Sequence, residues 1–414
     1  MTFTDAHSGG STCKPSRYSL MTGRFNFRAE HYNDRSGPIL QEKLATVPGM
    51  LRDLGYRTAM VGKWHLGFDR KSAKKKGEKP LAFGNDGSLT GGPCDRGFDS
   101  FFGMHASLDI PPYFYIRDRE PTMPPTETVP DNNSLGGKED WNRIQGAFWR
   151  GGPVGPDFKH VEVTPRFANE ASKVIASHDG DRPLFLYLAL PSPHTPWLPT
   201  KAFAGKSRAG MYGDFVTQVD HVVGEIVSEL DKAGMSENTL LLFTSDNGPV
   251  WYDKDTQRFG HSAAGSLRGI KGSVWEGGHR MPFIVKWPSR VKARSRTDQL
   301  VAFADVLATF AEIASKKNNA TTTAKDSVSF ADTLLTQQTR DRTPIMHAGK
   351  TIRDGDWKLI VGSGGRGFSA DRRTKYPTEL FNLKEDVGEQ NNLAEKMPEK
   401  VESLREKIKA ITGE

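Results

Sequence analysis

Cys13 begins a run whose residue types and spacing could do chemistry: Cys13-Lys-Pro15-Ser16-Arg17, followed by Thr22-Gly23. A thiol at the entry of a helix can be a low-pKa nucleophile, because the free N–H groups and the helix dipole favour an anion there. A buried, inert cysteine is the plainer reading. Neither accounts for Pro15 and Arg17, and Cys-x-Pro-Ser-Arg arises from average composition in roughly one chain in a thousand of this length. Arg17 lies one helical turn beyond Cys13, so its guanidinium can reach back toward it.

Four other segments carry polar groups of the right kind. Asp246-Asn247 offers hard oxygens that suit Ca2+ or Mg2+, although Asp-Asn-Gly is also a common turn. Lys63 and His65, in Gly-Lys-Trp-His-Leu-Gly, alternate as on a strand end and so point the same way. His194 sits in Pro-His-Thr-Pro, and Lys271 in Leu-Arg-Gly-Ile-Lys-Gly-Ser-Val-Trp-Glu-Gly-Gly.

These segments resemble the formylglycine-dependent sulfatases, the arylsulfatase-like and carbohydrate sulfatases of the alkaline-phosphatase superfamily. The likeness covers nearly the whole chain and includes Arg353-Asp-Gly-Asp-Trp-Lys-Leu and Glu379-Leu-Phe-Asn-Leu-Lys-Glu-Asp. It implies that a formylglycine-generating maturation enzyme oxidises Cys13 to an aldehyde. When hydrated, one hydroxyl attacks sulfur, and deprotonation of the other expels sulfate, a second step that an ordinary serine could not perform. By the same resemblance, Arg17 holds the nucleophile, Lys63 contacts the sulfate and His65 is the base for the second hydroxyl. His194 and Lys271 bind the bridging oxygen and help to protonate the leaving alcohol. Asp246, Asn247 and the modified Cys13 ligate a divalent cation, calcium or magnesium, which offsets the negative charge of the ester. The implied substrate is a sulfated small molecule, a sulfated sugar or glycan above all. Two other readings stand beside this one: a non-catalytic fragment or degenerate paralogue, and a formylglycine phosphonate or phosphodiester hydrolase on the same scaffold.

One family feature is not seen. Such sulfatases begin with an apolar strand ending in Asp-Asp, a few dozen residues before the cysteine motif. Here Met1-Thr-Phe-Thr-Asp-Ala-His7 starts where the family is already in mid-domain, and Asp5 has neither a preceding apolar strand nor a second acid. Asp246, Asn247 and Cys13 alone under-coordinate a cation that takes six to eight oxygens. The absent strand belongs inside the sheet, which predicts exposed pairing groups and an exposed apolar face. The expectation is that Met1 is internal to a longer protein and that the 414 residues as written are poorly soluble and inactive. Robust metal-dependent turnover would refute it.

The elements that must position these residues are legible in outline. Helices are predicted over 12–24, 46–55, 166–178, 298–314 and 398–411, with a long one carrying Phe215, Val219, Val222, Val223, Ile226, Val227 and Leu230 on one face. Apolar strands are predicted over 57–61, 184–190, 240–244 and 281–286. Residues 68–160 read as long loops. Strand, helix, strand with apolar strands gives an α/β fold, a mostly parallel sheet sandwiched by helices, in a catalytic domain over 1–327. Residues 328–414 read as a small antiparallel subdomain with a helix, after a linker over 316–327. Lys63/His65, His194 and Asp246/Asn247 each follow a strand end, where ligands gather in such sheets.

Bulk properties exclude other classes. The chain is 36% hydrophobic and 26% charged, with no apolar run near the roughly 20 residues of a membrane span. The net charge of +7 favours anionic partners, but no nucleic-acid-binding motif accompanies it. The basic run Arg70 to Lys79 reads as a solvated loop. Two cysteines make neither a disulfide framework nor a cysteine metal cage, and Cys94 reads as a structural thiol. No signal peptide is visible, and the periplasm or the cell exterior is the expected compartment of a full-length family member. Tyr113, Phe114, Tyr115, Trp141 and Trp149 could stack on sugar faces, but such residues more often pack a core.

Overall fold

In the computed structural model, residues 1–30, 37–69, 88–137, 139–315, 324–342, 344–362 and 377–413 are described. They fall into two compact units. The first comprises Met1–Tyr32, Ala45–Val47 and Glu237–Glu414; the second comprises Asn33–Leu44 and Pro48–Ser236.

In the first unit, strand Phe283–Lys286 lies between Leu241–Thr244 and Thr2–Phe3, antiparallel to both, and Arg296–Thr297 adds on parallel to Thr2–Phe3. This sheet is therefore mixed. Phe283 and Val285 are buried while Ile284 and Lys286 are exposed, the alternation of a sheet with one wet face. Phe3, Phe283 and Phe330 meet edge to face with centroids 5.2, 5.5 and 5.8 Å apart. Leu241–Thr244 ends the sheet, and its residues are only half-buried because one flank has no neighbouring strand among the described residues. The antiparallel sheet expected in the tail is present: Ile345–His347, Thr351–Asp354, Trp357–Ile360 and Glu379–Asn382, in that order. Leu404 and Ile408, on helix Pro398–Thr412, join its core with Ile345, Ile352, Leu359 and Leu380.

The second unit carries the parallel pairing that the sequence predicts. Arg57–Lys63 runs parallel to Leu184–Ala189 on one side and to Ser100–Met104 on the other. Helix Val163–Ala176 packs on this sheet and against helix Gly210–Lys232. The long helix buries Phe215, Val222, Ile226 and Leu230 as its 3.6-residue period requires. Leu184–Ala189 again ends its sheet, so a run that reads as doubly buried is half-buried over its first five residues.

Two expectations are corrected. Residues 68–160 are not all loop: Ser100–Met104 is a sheet strand, hidden in the sequence because it is short and contains Gly103. The helix expected from 298 begins at Asp305, because Val301–Ala302 is spent on a strand paired with Ala6–His7. The basic run 70–79 and most of the expected linker, 316–323, lie outside the described residues. Cys94 is buried in the short turn Pro93–Asp95, and burial pushes its thiol up to about 12, which leaves it inert at neutral pH.

Candidate active site

In the first unit, Cys13 is the first residue of helix Cys13–Thr22, which Gly23 ends in the left-handed conformation at φ 65°. The helix is polar yet mostly buried, so its polar groups need partners. Ser16 Oγ donates to the Gly10 carbonyl at 2.5 Å, and Thr22 Oγ1 to the Tyr18 carbonyl at 2.8 Å. Arg17, 5% exposed, aims Nε and Nη2 at Asp246 Oδ2, both at 2.9 Å. A guanidinium buried to that degree is stable only beside a carboxylate.

Asp246 and Asn247 follow the Leu241–Thr244 strand. Gly248 permits the turn that presents them: a Cβ there would sit 1.9 Å from the Gly277 carbonyl oxygen, while its N–H donates to the Gly278 carbonyl at 3.0 Å. Asn247 Nδ2 donates to the Gly248 carbonyl at 3.0 Å. That leaves Asn247 Oδ1 buried with no hydrogen-bond partner among the described residues.

Lys271 is brought to Cys13 by two backbone bonds. Its N–H donates to the Pro249 carbonyl at 2.9 Å, and the Gly272 N–H to the Ser11 carbonyl at 2.7 Å. The buried Lys271 ammonium then lies 3.7 Å from Cys13 Sγ. Position 13 therefore has a helix N-terminus and a buried ammonium beside it, donors suited to an oxygen on which charge develops.

In the second unit, Lys63 is the last residue of its strand and 2% exposed. His65 lies beyond the strand in the left-handed region at φ 61°, so strand alternation does not set its direction as the sequence suggested. Its N–H donates to the His105 carbonyl at 3.0 Å. His194 follows the Leu184–Ala189 strand, and its Nδ1 donates to the Thr195 carbonyl at 2.8 Å. Asp109 was not singled out from the sequence, where Leu-Asp-Ile-Pro gives no signal. It is 7% exposed and takes a 2.6 Å bond from Arg150 Nη1 on Oδ2, while Oδ1 stands 3.7 Å from His194 Nδ1. Tyr113, Phe114, Tyr115 and Trp141 are buried in the core, which removes them as sugar platforms, and Trp149 stacks on His160 at 4.7 Å.

The description "Sulfatase" fits residues 1–316 as a family. The chain belongs to the sulfatase family. It is 31% identical over 99% of its length to an N-acetylgalactosamine-6-O-sulfatase of Bacteroides thetaiotaomicron, 85% of which is covered. It is 29% identical to the mouse N-acetylgalactosamine-6-sulfatase over 85% of this chain and 62% of that enzyme. The fold matches, at TM-score 0.79 and 29% identity, a solved structure from work on the metabolism of multiple glycosaminoglycans by B. thetaiotaomicron, covering all of this chain and 92% of the other.

The sulfatase family is one of sulfuric ester hydrolases with an alkaline-phosphatase-like fold, and it implies a divalent cation. The residues present fit one. Asn247 Oδ1, without a partner among the described residues, and the Asp246 carboxylate are hard oxygens of the kind that such an ion takes, and they would form part of its shell.

Proposed function

We propose that this sulfatase cleaves sulfate esters of a carbohydrate through a formylglycine made from Cys13. The observation that carries the proposal is the buried Cys13 at a helix N-terminus with the Lys271 ammonium 3.7 Å from Sγ. An inert core thiol has no need of a buried cation, whose desolvation costs several kcal/mol. In the matured protein the aldehyde oxygen takes the place of Sγ. The hydrated aldehyde supplies the nucleophile and the means to expel sulfate. The cation held in part by Asp246 and Asn247, Ca2+ or Mg2+, supplies charge to offset the ester.

The chain's own residues divide the remaining work. Arg17 fixes the Asp246 carboxylate and, through it, the first unit's polar cluster. Lys271 donates toward the oxygen at position 13. Lys63 neutralises the sulfate, His65 accepts the proton whose loss releases it, and His194 with Lys271 protonates the leaving alcohol. Asp109 places a carboxylate 3.7 Å from the same His194 Nδ1 that donates to the Thr195 carbonyl, and its charge helps to orient the ring. The relatives are named for 6-sulfated N-acetylgalactosamine, which makes that sugar, free or in a glycan, the first substrate to try.

The test is sulfate release from N-acetylgalactosamine 6-sulfate by protein matured with a formylglycine-generating enzyme and assayed with Ca2+. Release should be lost in Cys13→Ala. Release that persists in that variant overturns the proposal, and faster turnover of an aryl phosphodiester than of an aryl sulfate would favour the phosphodiesterase reading.

A further inference from the structure

Elsewhere in the first unit lies a group of imidazoles that the proposed chemistry does not use. His7, His279 and His347 are 0%, 1% and 2% exposed. They come from three distant segments, and one nitrogen of each lies within 4.8 Å of the others. The Nδ1 atoms of His7 and His279 are 3.0 Å apart. Their far nitrogens are committed: His7 Nε2 to Asp5 Oδ1 at 2.8 Å, and His279 Nε2 to the Val274 carbonyl at 3.0 Å. A carboxylate and a carbonyl only accept, so each Nε2 carries the proton. Both Nδ1 atoms then present lone pairs to each other, a repulsive arrangement unless an electron-pair acceptor lies between them. His347 stacks on His279 with centroids 3.9 Å apart, and neither of its ring nitrogens has a hydrogen-bond partner among the described residues.

We propose that His7, His279 and His347 form a second metal site, for a borderline transition metal such as Zn2+. Imidazole nitrogen suits Zn2+ and is a poor match for Ca2+, so the site differs in kind from the Asp246–Asn247 oxygens. A ring nitrogen facing the metal while the other donates to a carboxylate or carbonyl is the usual support of a metal-bound histidine.

The surrounding charge is balanced. Lys358 Nζ lies 3.3 Å from His279 Nε2, but it is paired with Glu276 at 2.9 Å and Glu389 at 2.8 Å. Asp5 is met by Arg353 at 3.1 Å and Arg280 at 3.4 Å. Burial pushes the Glu389 carboxyl up to about 7, so an entering cation can be met by loss of that proton. A metal-free alternative has Lys358 donate to His279 Nε2 and His279 Nδ1 donate to His7, but it leaves both nitrogens of His347 bare. In the metal-bound form His347 turns out of its stack to aim one of them at the ion.

The test uses the full chain, stripped with chelator and dialysed against Zn2+ or Co2+. The expected result is one tightly retained Zn2+ per chain, a raised melting temperature, and visible d–d bands with Co2+ that Zn2+ abolishes. His347→Gln, checked for native circular dichroism, should weaken Zn2+ binding at least ~10-fold, whereas Asp246→Asn should keep it. Failure to retain Zn2+ without a Co2+ spectrum, or equal retention by folded His347→Gln, overturns the proposal. If His347→Gln does not fold, the Co2+ spectrum of the unsubstituted chain decides.

Discussion

Replacing Lys358 by Met should cost the first unit a large part of its stability, and the cost should grow with pH. Lys358 Nζ touches two carboxylates, Glu276 at 2.9 Å and Glu389 at 2.8 Å, and all three side chains are 0% exposed. Burial alone would raise the Glu276 pKa. The Lys358 ammonium, helped by Arg353, more than reverses that and holds it well below the usual carboxylate range. Glu389, pushed up to about 7, carries the proton that the pair shares. Met keeps the length and the apolar stem but removes the cation, leaving buried negative charge uncompensated. Breaking a buried pair in this way costs about 3–5 kcal/mol, which in a unit of this size lowers the melting temperature by on the order of 10 °C. In the variant, burial without Lys358 lifts Glu276 above its unfolded value near 4.5. The folded state then binds protons that the unfolded state releases, so stability falls as pH rises from about 5 to 8. Urea unfolding of both proteins at pH 5 and pH 8 measures this. A deficit under about 1 kcal/mol, or one that does not change with pH, would refute the reasoning.

Three further outcomes are expected. Lys271→Met removes the donor aimed at position 13 and should lower kcat on aryl sulfate by about 10²–10³-fold with native circular dichroism; a loss under threefold would remove Lys271 from the chemistry. Asp109→Asn removes the charge beside the His194 ring and should lower kcat by roughly 10-fold, measured with KM on 6-sulfated N-acetylgalactosamine. His160 sits among Tyr113, Trp149 and Phe158 at 4.5, 4.7 and 5.3 Å, and burial pushes its pKa down to about 4. The unfolded ring protonates first as pH falls below about 6.5, which costs the fold about 2 kcal/mol by pH 5. His160→Phe should therefore lose less melting temperature than the parent between pH 7 and pH 5.

The sequence carried the helices and the long strands because their signals are local. Gly23 and Pro15 bracket helix Cys13–Thr22, and the spacing from Phe215 to Leu230 reports a single buried face. The Cys13 motif and the Asp246-Asn247 turn were legible for the same reason: their residues are adjacent and follow recognisable elements. What stayed hidden depends on long-range pairing. Ser100–Met104 is a strand because Arg57–Lys63 gives it a parallel partner, and nothing in Ser-Phe-Phe-Gly-Met requires it. His7, His279 and His347 look like three isolated histidines until the strand pairings Ala6–His7 with Val301–Ala302 and Ile345–His347 with Thr351–Asp354 set the backbone around them. His65 was misread in direction because a left-handed residue breaks the two-residue period.

The central claim is that Cys13 is chemically a sulfatase nucleophile, and one measurement addresses it most directly. The chain is produced together with a formylglycine-generating enzyme, and the peptide holding Cys13 is analysed by mass spectrometry and by reaction with a hydrazide. The account predicts loss of sulfur and a hydrazide-reactive aldehyde at position 13, absent from Cys13→Ala. An unmodified thiol at Cys13, in a folded chain and beside a positive control peptide that is converted, would contradict it.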